Sequence, residues 1–403
     1  MSVGYLALLR ERQFGSLFAT QVTNVLATSV SGLYLGTLVN AATGSTFLTS
    51  FAMFAPSLAN LLGAASLMSL ADTSSPRALM TALQLMSALC MGAQALPLPI
   101  WARFMLLIFS GLLAAISGGL QLGLVATSVE RQHYAMARSL LNLTNGAVQI
   151  CGFAFGGMLI QIVDSSWMFT ALGLLMMLGT CIVLWGIGSN ARPHARSTGA
   201  SRSTGFAATL AVNQWALRHT DIRVLLLALW VPNGIIVGAE SLFIPYAHGN
   251  AGYLLAAGAV GMLFGDLVVG RWLCAETRNK INIYQRVLLA APYLVFFLEL
   301  PWILAALLVL IASLGFSASL GLQERLVALT PQDRVGQVQG LESSGRLAAQ
   351  GFFALAAGGT AEVLGVGLTM TIFAVLSLGV TATLMSRLAQ QPQTSEMLVE
   401  QDR

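Results

Sequence analysis

Apolar runs of about 20 residues recur along the whole chain, and each is long enough to cross a hydrocarbon layer about 30 Å thick. No globular core hides that much apolar surface. Of 403 residues 56% are hydrophobic and 9% are charged, whereas an ordinary soluble domain is about one quarter charged. The length accommodates roughly a dozen crossings with short loops and little else. The net charge of +4 comes from cations set between the apolar runs, which points to membrane lipid rather than nucleic acid as the counterpart. Cys90, Cys151, Cys181 and Cys274 lie within or at the end of apolar segments and form no CxxC. They read as small buried hydrophobes, with no disulfide framework, metal site or cofactor expected. Arg10 and Arg12 precede an apolar stretch to Val39 that is too long for a signal-peptide core and lacks an A-x-A site, so it reads as the first helix.

The segmentation predicts an all-α polytopic membrane protein. Helices 1 to 6 are expected at Phe14–Val39, Phe47–Leu70, Ala78–Leu96, Phe104–Thr127, Ser139–Val163 and Trp167–Gly188. Helices 7 to 12 are expected at Val224–Tyr246, Ala251–Cys274, Ile283–Leu300, Trp302–Leu322, Val338–Val363 and Val366–Ser386. Between the sets, RPHARSTGASRSTG reads as a flexible connector followed by a short surface helix. The expected organisation is a six-helix bundle over 1–188, a cytoplasmic linker over 189–223, a second bundle over 224–388 and a cytoplasmic tail over 389–403.

Orientation follows from Lys and Arg, which cytoplasmic loops retain. With both termini inside, all but two of the 20 cations fall on the cytoplasmic side; Arg103 lies outside and Arg346 within helix 11. The halves also repeat weakly. LLRERQF before helix 1 parallels ALRHTDI before helix 7, and Asn24 and Asn233 follow at nearly equal offsets. Gln149 with Gly156 and Gly157 in helix 5 parallels Gln350 with Gly358 and Gly359 in helix 11. Two pseudo-symmetric bundles are therefore expected.

Six plus six helices, a basic central loop and cytoplasmic termini resemble the major facilitator superfamily over essentially the whole chain. The family's helix 2 to 3 signature appears as MSLADTSSPR, with Asp72 and Arg77 matching and Met68 in place of a glycine. By that resemblance Asp72 and Arg77 belong to a cytoplasmic gate; an ordinary capped turn is the alternative. The helix 5 signature of the family's antiporters appears as Gly152-Phe153-Ala154-Phe155-Gly156-Gly157, with Phe153 where proline is expected. Gly152 and Gly156, like Gly261 and Gly265 on helix 8, form GxxxG spacings that allow close helix approach. In the family helices 5 and 8 face each other, so Gly152, Gly156, Gly157, Gly261 and Gly265 are expected at the bundle interface, with static packing as the alternative. Leu107 stands where the family's drug exporters carry a helix 4 arginine. That departure, with the opening LLRERQFGSLF, resembles the twelve-helix drug, macrolide and siderophore exporters.

Gln21, Asn24, Thr28 and Ser31 share one face of helix 1, and Trp230, Asn233, Glu240 and Ser241 one face of helix 7. In the family these helices line the cavity, so the eight residues are the substrate-cavity candidates; interhelical hydrogen bonding is the alternative. Glu240 lies about 16 residues, some 24 Å, from the cytoplasmic end of its helix. A carboxyl group there must be paired, wetted or protonated, which makes Glu240 the proton-coupling candidate, against an acid snorkelling to the outer rim. Asp266 and Arg271 read as a gate or ion-pair lock, and Glu342 with Arg346 as a neutralising i,i+4 pair.

The expected function is proton-coupled export of a small amphipathic compound by a monomer in a bacterial inner membrane. A nutrient importer or facilitator and a non-transporting sensor or scaffold are the alternatives. The chain carries no HExxH, nucleophile elbow or GxxxxGK[ST] loop, so no catalytic residue is expected.

Overall fold

The computed structural model describes residues 5–66, 75–129, 134–188, 204–273, 275–331 and 334–389. Their regular structure is helical, with no strand among the described residues. A short α1 (Tyr5–Arg10) precedes α2 (Arg12–Thr43), α3 (Thr46–Ser66), α4 (Pro76–Ala93), α5 (Ile100–Ser128), α6 (Tyr134–Leu159) and α7 (Ser165–Gly186). Next come α8 (Thr204–Arg218), α9 (Thr220–Glu240), α10 (Phe243–Ala247), α11 (Ala251–Trp272) and α12 (Ala275–Ala290). A 3-10 segment at Ala291–Leu298 extends α12. The last elements are α13 (Trp302–Leu314), a 3-10 turn at Gly315–Ser317, α14 (Ala318–Leu329), α15 (Val335–Leu364) and α16 (Val366–Ala389). Among the described residues, nine helical stretches are long and apolar enough to cross a membrane.

Three expected helices are interrupted. The seventh breaks after Glu240 and resumes at Phe243. The ninth changes to 3-10 geometry at Ala291, where Pro292 supplies no amide proton. The tenth tightens at Gly315–Ser317, where the backbone lies directly on α12. A Cβ on Gly315 would run into the Gln285 carbonyl oxygen and stand 2.6 Å from the Leu289 nitrogen. The expected surface helix is α8, whose Trp215 ring lies 4.7 Å from the Arg334 guanidinium.

Packing divides the chain into two compact units. One comprises the described part of Met1–Arg196 with Ala247–Ala259, the other that of Ser197–Tyr246 with Val260–Arg403. The start of α11 therefore packs with the first unit, where Gly252 meets the Gly157 backbone. In the first unit one apolar cluster gathers Phe14, Leu17, Met80, Val125 and Val183, and another gathers Ala27, Tyr34, Leu35, Ala52 and Phe169. Both draw on α2, which carries the polar residues Thr20, Gln21, Thr23 and Asn24 between Leu17 and Ala27. In the second unit the base of α9 packs with Leu322, Leu326, Val338 and Leu384. Beyond it, Tyr293 stacks against Phe243 and Phe296.

Apolar side chains also cover the outside. Trp101, Trp167, Trp185 and Trp272 are 69%, 73%, 79% and 71% exposed, all at helix ends, where amphipathic indoles meet the headgroup layer.

Candidate functional site

The polar stretch of α2 is tied to two neighbouring helices. Asn24 Nδ2 donates to Gln84 Oε1 at 3.1 Å, and Gln84 Nε2 donates back to Asn24 Oδ1 at 2.6 Å. This reciprocal amide pair satisfies one donor and one acceptor on each side chain. Gln84 Nε2 also lies 3.4 Å from the Met176 carbonyl of α7. The third helix approaches because residue 179 is glycine: a Cβ there would stand 2.8 Å from Gln84 Nε2 and 2.9 Å from Thr23 Oγ1. One turn earlier, Gln21 Nε2 donates to Asn145 Oδ1 of α6 at 2.9 Å. Thr28 is exposed and returns its hydroxyl to the Asn24 carbonyl at 2.8 Å, whereas Ser31 is buried.

The face of α9 divides similarly. Trp230 Nε1 donates to the Glu342 carbonyl at 2.8 Å, and its indole occupies the space a side chain on Gly345 would need. Ser241 is fully buried and donates to the Gly238 carbonyl at 2.7 Å, with the Ala354 carbonyl of α15 at 3.5 Å. Asn233 differs: it is 9% exposed, and its Nδ2 has no hydrogen-bond partner among the described residues. A buried amide donor left open is costly unless water or a solute completes it. Glu240, the last residue of α9, accepts a 3.1 Å hydrogen bond from the hydroxyl of the fully buried Tyr293. No Lys or Arg pairs with Glu240 among the described residues.

Of the gate candidates, Asp72 lies outside the described residues. Arg77 Nη2 donates to the Leu184 carbonyl at 2.5 Å, and Arg12 to the Trp185 carbonyl. Both guanidiniums line a cavity of about 630 Å³ at the C-terminal end of α7. Asp266 and Arg271 form no ion pair among the described residues: Asp266 Oδ1 is buried without a hydrogen-bond partner and Arg271 is exposed. They are five positions apart, which places their side chains about 140° apart around a helix. Glu342 and Arg346 do pair, with Arg346 Nε 3.2 Å from Glu342 Oε1.

The candidate interface glycines meet several partners. A Cβ on Gly152 would stand 2.8 Å from Ser29 Cβ, and one on Gly156 would be 3.5 Å from the Val30 methyls, both on α2. Gly157 meets Gly252 of α11, where a Cβ would lie 2.8 Å from the Gly252 Cα. Gly261 and Gly265 meet the carbonyls of Leu310 and Leu314 on α13, and a methyl added to either glycine would run into the oxygen it faces.

Sequence reasoning missed Gln84, Asn145, Tyr293 and Arg286. A lone polar residue in an apolar run is the signal for Gln84 and Tyr293, whereas Asn145 stands among Asn142 and Thr144. Arg286 lies inside the expected ninth helix, although its charge groups it with the cytoplasmic cations. It is 5% exposed, donating from Nη1 to the Ala228 carbonyl at 2.7 Å and from Nε to Asn282 Oδ1 at 3.1 Å.

Long apolar helices with polar groups gathered inside two compact units define a multi-pass membrane protein with a polar interior. The sequence model of the Major Facilitator Superfamily matches residues 17–323, and the chain belongs to that family. It is accordingly a transporter rather than an enzyme. No curated protein matches the chain. Among solved structures it resembles a POT family transporter in complex with 5-aminolevulinic acid (TM-score 0.77, 10% identity, covering 95% of this chain and 97% of that one). It also resembles the nucleoside transporter NupG (0.67, 14%, 93% and 100%) and the human organic anion transporter MFSD10 (0.65, 15%, 93% and 99%). At these identities the likeness establishes the fold.

Proposed function

We propose that this transporter is a secondary active exporter of small amphipathic organic compounds, coupled to protons through Glu240. Twelve crossings with both termini cytoplasmic, as two six-helix bundles over 1–188 and 224–388, frame the reading, and the working unit is a monomer in a bacterial inner membrane. Besides the nine apolar spans, α3, α4 and α6 are 21, 18 and 26 residues long. Those lengths correspond to about 27 Å or more of helix.

The observation that carries the reading is Glu240. Its partner is a phenol rather than a cation. A lone carboxyl group in a membrane-spanning segment is stable when neutral or when a cation visits it. Alternating access can use both states, with proton binding on one side and release on the other. Asn233, two turns earlier with an open amide donor, supplies a neutral hydrogen-bonding group for the substrate. The scarcity of buried cations suits an amphipathic substrate better than a polyanion.

The test is accumulation of ethidium and a panel of amphipathic dyes in cells expressing wild type or Glu240→Gln, with and without an uncoupler. Wild type should lower accumulation, and both the uncoupler and the substitution should abolish that. Unchanged accumulation across the panel would reject drug export. A second reading, passage of a small nutrient, draws on the likeness to NupG and the POT transporter; uptake of labelled nucleosides or 5-aminolevulinic acid tests it. Absence of all flux would favour a sensor or scaffold.

A further inference from the structure

Arg286 is a cation inside a membrane-spanning stretch, Lys280–Leu298, and both of its hydrogen-bond acceptors are neutral. One of them is the carbonyl of Ala228, four residues before Pro232, a proline within α9. In an unbroken helix the amide of residue 232 would donate to that carbonyl. Proline has no amide proton, and its ring crowds the same carbonyl. In lipid a freed carbonyl has no water to turn to, so a neighbouring helix must supply the donor.

We infer that Arg286 is a positioning residue that replaces the hydrogen bond deleted by Pro232 and thereby fixes the course of α9 through Asn233 to Glu240. The bond is short, 2.7 Å, and both side chains of the supporting pair are buried, Arg286 at 5% and Asn282 at 7% exposed. Asn282 holds the guanidinium through Nε and itself donates to the Ala318 carbonyl at 2.7 Å, so the support runs from α14 through α12 to α9. At the proline itself, Ser377 of α16 donates to the Pro232 carbonyl at 3.0 Å and is 1% exposed. Two helices thus serve the carbonyls at the proline from separate elements. A guanidinium suits the task because its several donors reach the carbonyl and Asn282 together. The inference holds for any substrate, and only its transport arm rests on the proposed function.

The test is a double-mutant cycle on the purified full-length protein with Arg286→Met, Pro232→Ala and both, read by hydrogen–deuterium exchange and thermal unfolding. Alanine at 232 restores the missing N–H, which makes the arginine dispensable at the Ala228 carbonyl. Arg286→Met alone should accelerate exchange at least several-fold in 224–240 and lower the unfolding midpoint, and Pro232→Ala should remove most of both effects. Arg286→Gln, with one donor and no charge, should fall between wild type and Met. Equal acceleration throughout the unit, additive midpoint losses, or no change on Arg286→Met would overturn the inference. If Arg286→Met cannot be purified, recovery of folded protein in the double variant supports it, and failure of both overturns it. Ethidium export forms a separate arm: failure there with the exchange pattern intact rejects the export reading and leaves the positioning role standing.

Discussion

Arg103 is the cation that the proposed orientation leaves in an outer loop, and its contacts explain why it is tolerated. It is 7% exposed and donates to the carbonyls of Gln94, Leu96 and Leu98. A cation spent on loop carbonyls closes the end of α4, and in the proposed orientation it does so outside the cytoplasm. Arg103→Ala should destabilise the protein by about 2–3 kcal/mol, because several charged hydrogen bonds are lost at once; thermal unfolding of purified protein measures it. Asn24 and Gln84 make a sharper case, since each supplies the other's partner. Replacing Asn24 with alanine leaves the buried Gln84 amide half satisfied, whereas replacing both removes the conflict, so a coupling of about 1 kcal/mol or more is expected in a stability cycle. Additive losses would show that the amides act independently. Spacing placed Asn24, Asn233 and Glu240 on their helix faces. Their partners Gln84 and Tyr293 were not legible, because helices 60 and 53 residues away bring them.

At the scale of elements, prolines and glycines decide where helices bend and touch. Gly44 ends α2 with φ +65°, a left-handed cap whose amide returns to the Asn40 carbonyl. Nothing lies within 4 Å of a Cβ placed there, so Gly44→Ala measures backbone strain alone, with an expected loss of about 1 kcal/mol. Gly179 poses the opposite problem. Its conformation is ordinary helix, but a methyl would press on Gln84 and Thr23. Gly179→Val should therefore lower stability, and Gln84→Ala in the same chain should recover part of the loss by making room; no recovery would place the strain elsewhere. Helix existence was legible from apolar length. The tightening at Gly315 was not, because it depends on the α12 backbone that packs beside it.

For the whole molecule, the proposed orientation makes a direct prediction. A reporter active only in the cytoplasm should function when fused after residue 188 or 389 and fail when fused after residue 97; the reverse pattern would overturn the charge-based topology. By itself the sequence determined that the chain is helical, crosses a membrane repeatedly and belongs with transporters of this architecture, because apolar length and the placement of cations are properties of contiguous segments. Tertiary structure alone decided which polar groups are spent and which stay open. It gave Gln21 and Asn24 partners on α6 and α4, closed Ser241 against backbone carbonyls, left Asn233 open, set a phenol on Glu240 and turned Arg286 onto the carbonyl freed by Pro232. A hydrogen bond between distant helices leaves no periodic trace in either, so only folding reveals which polar residues remain available to a substrate or a proton.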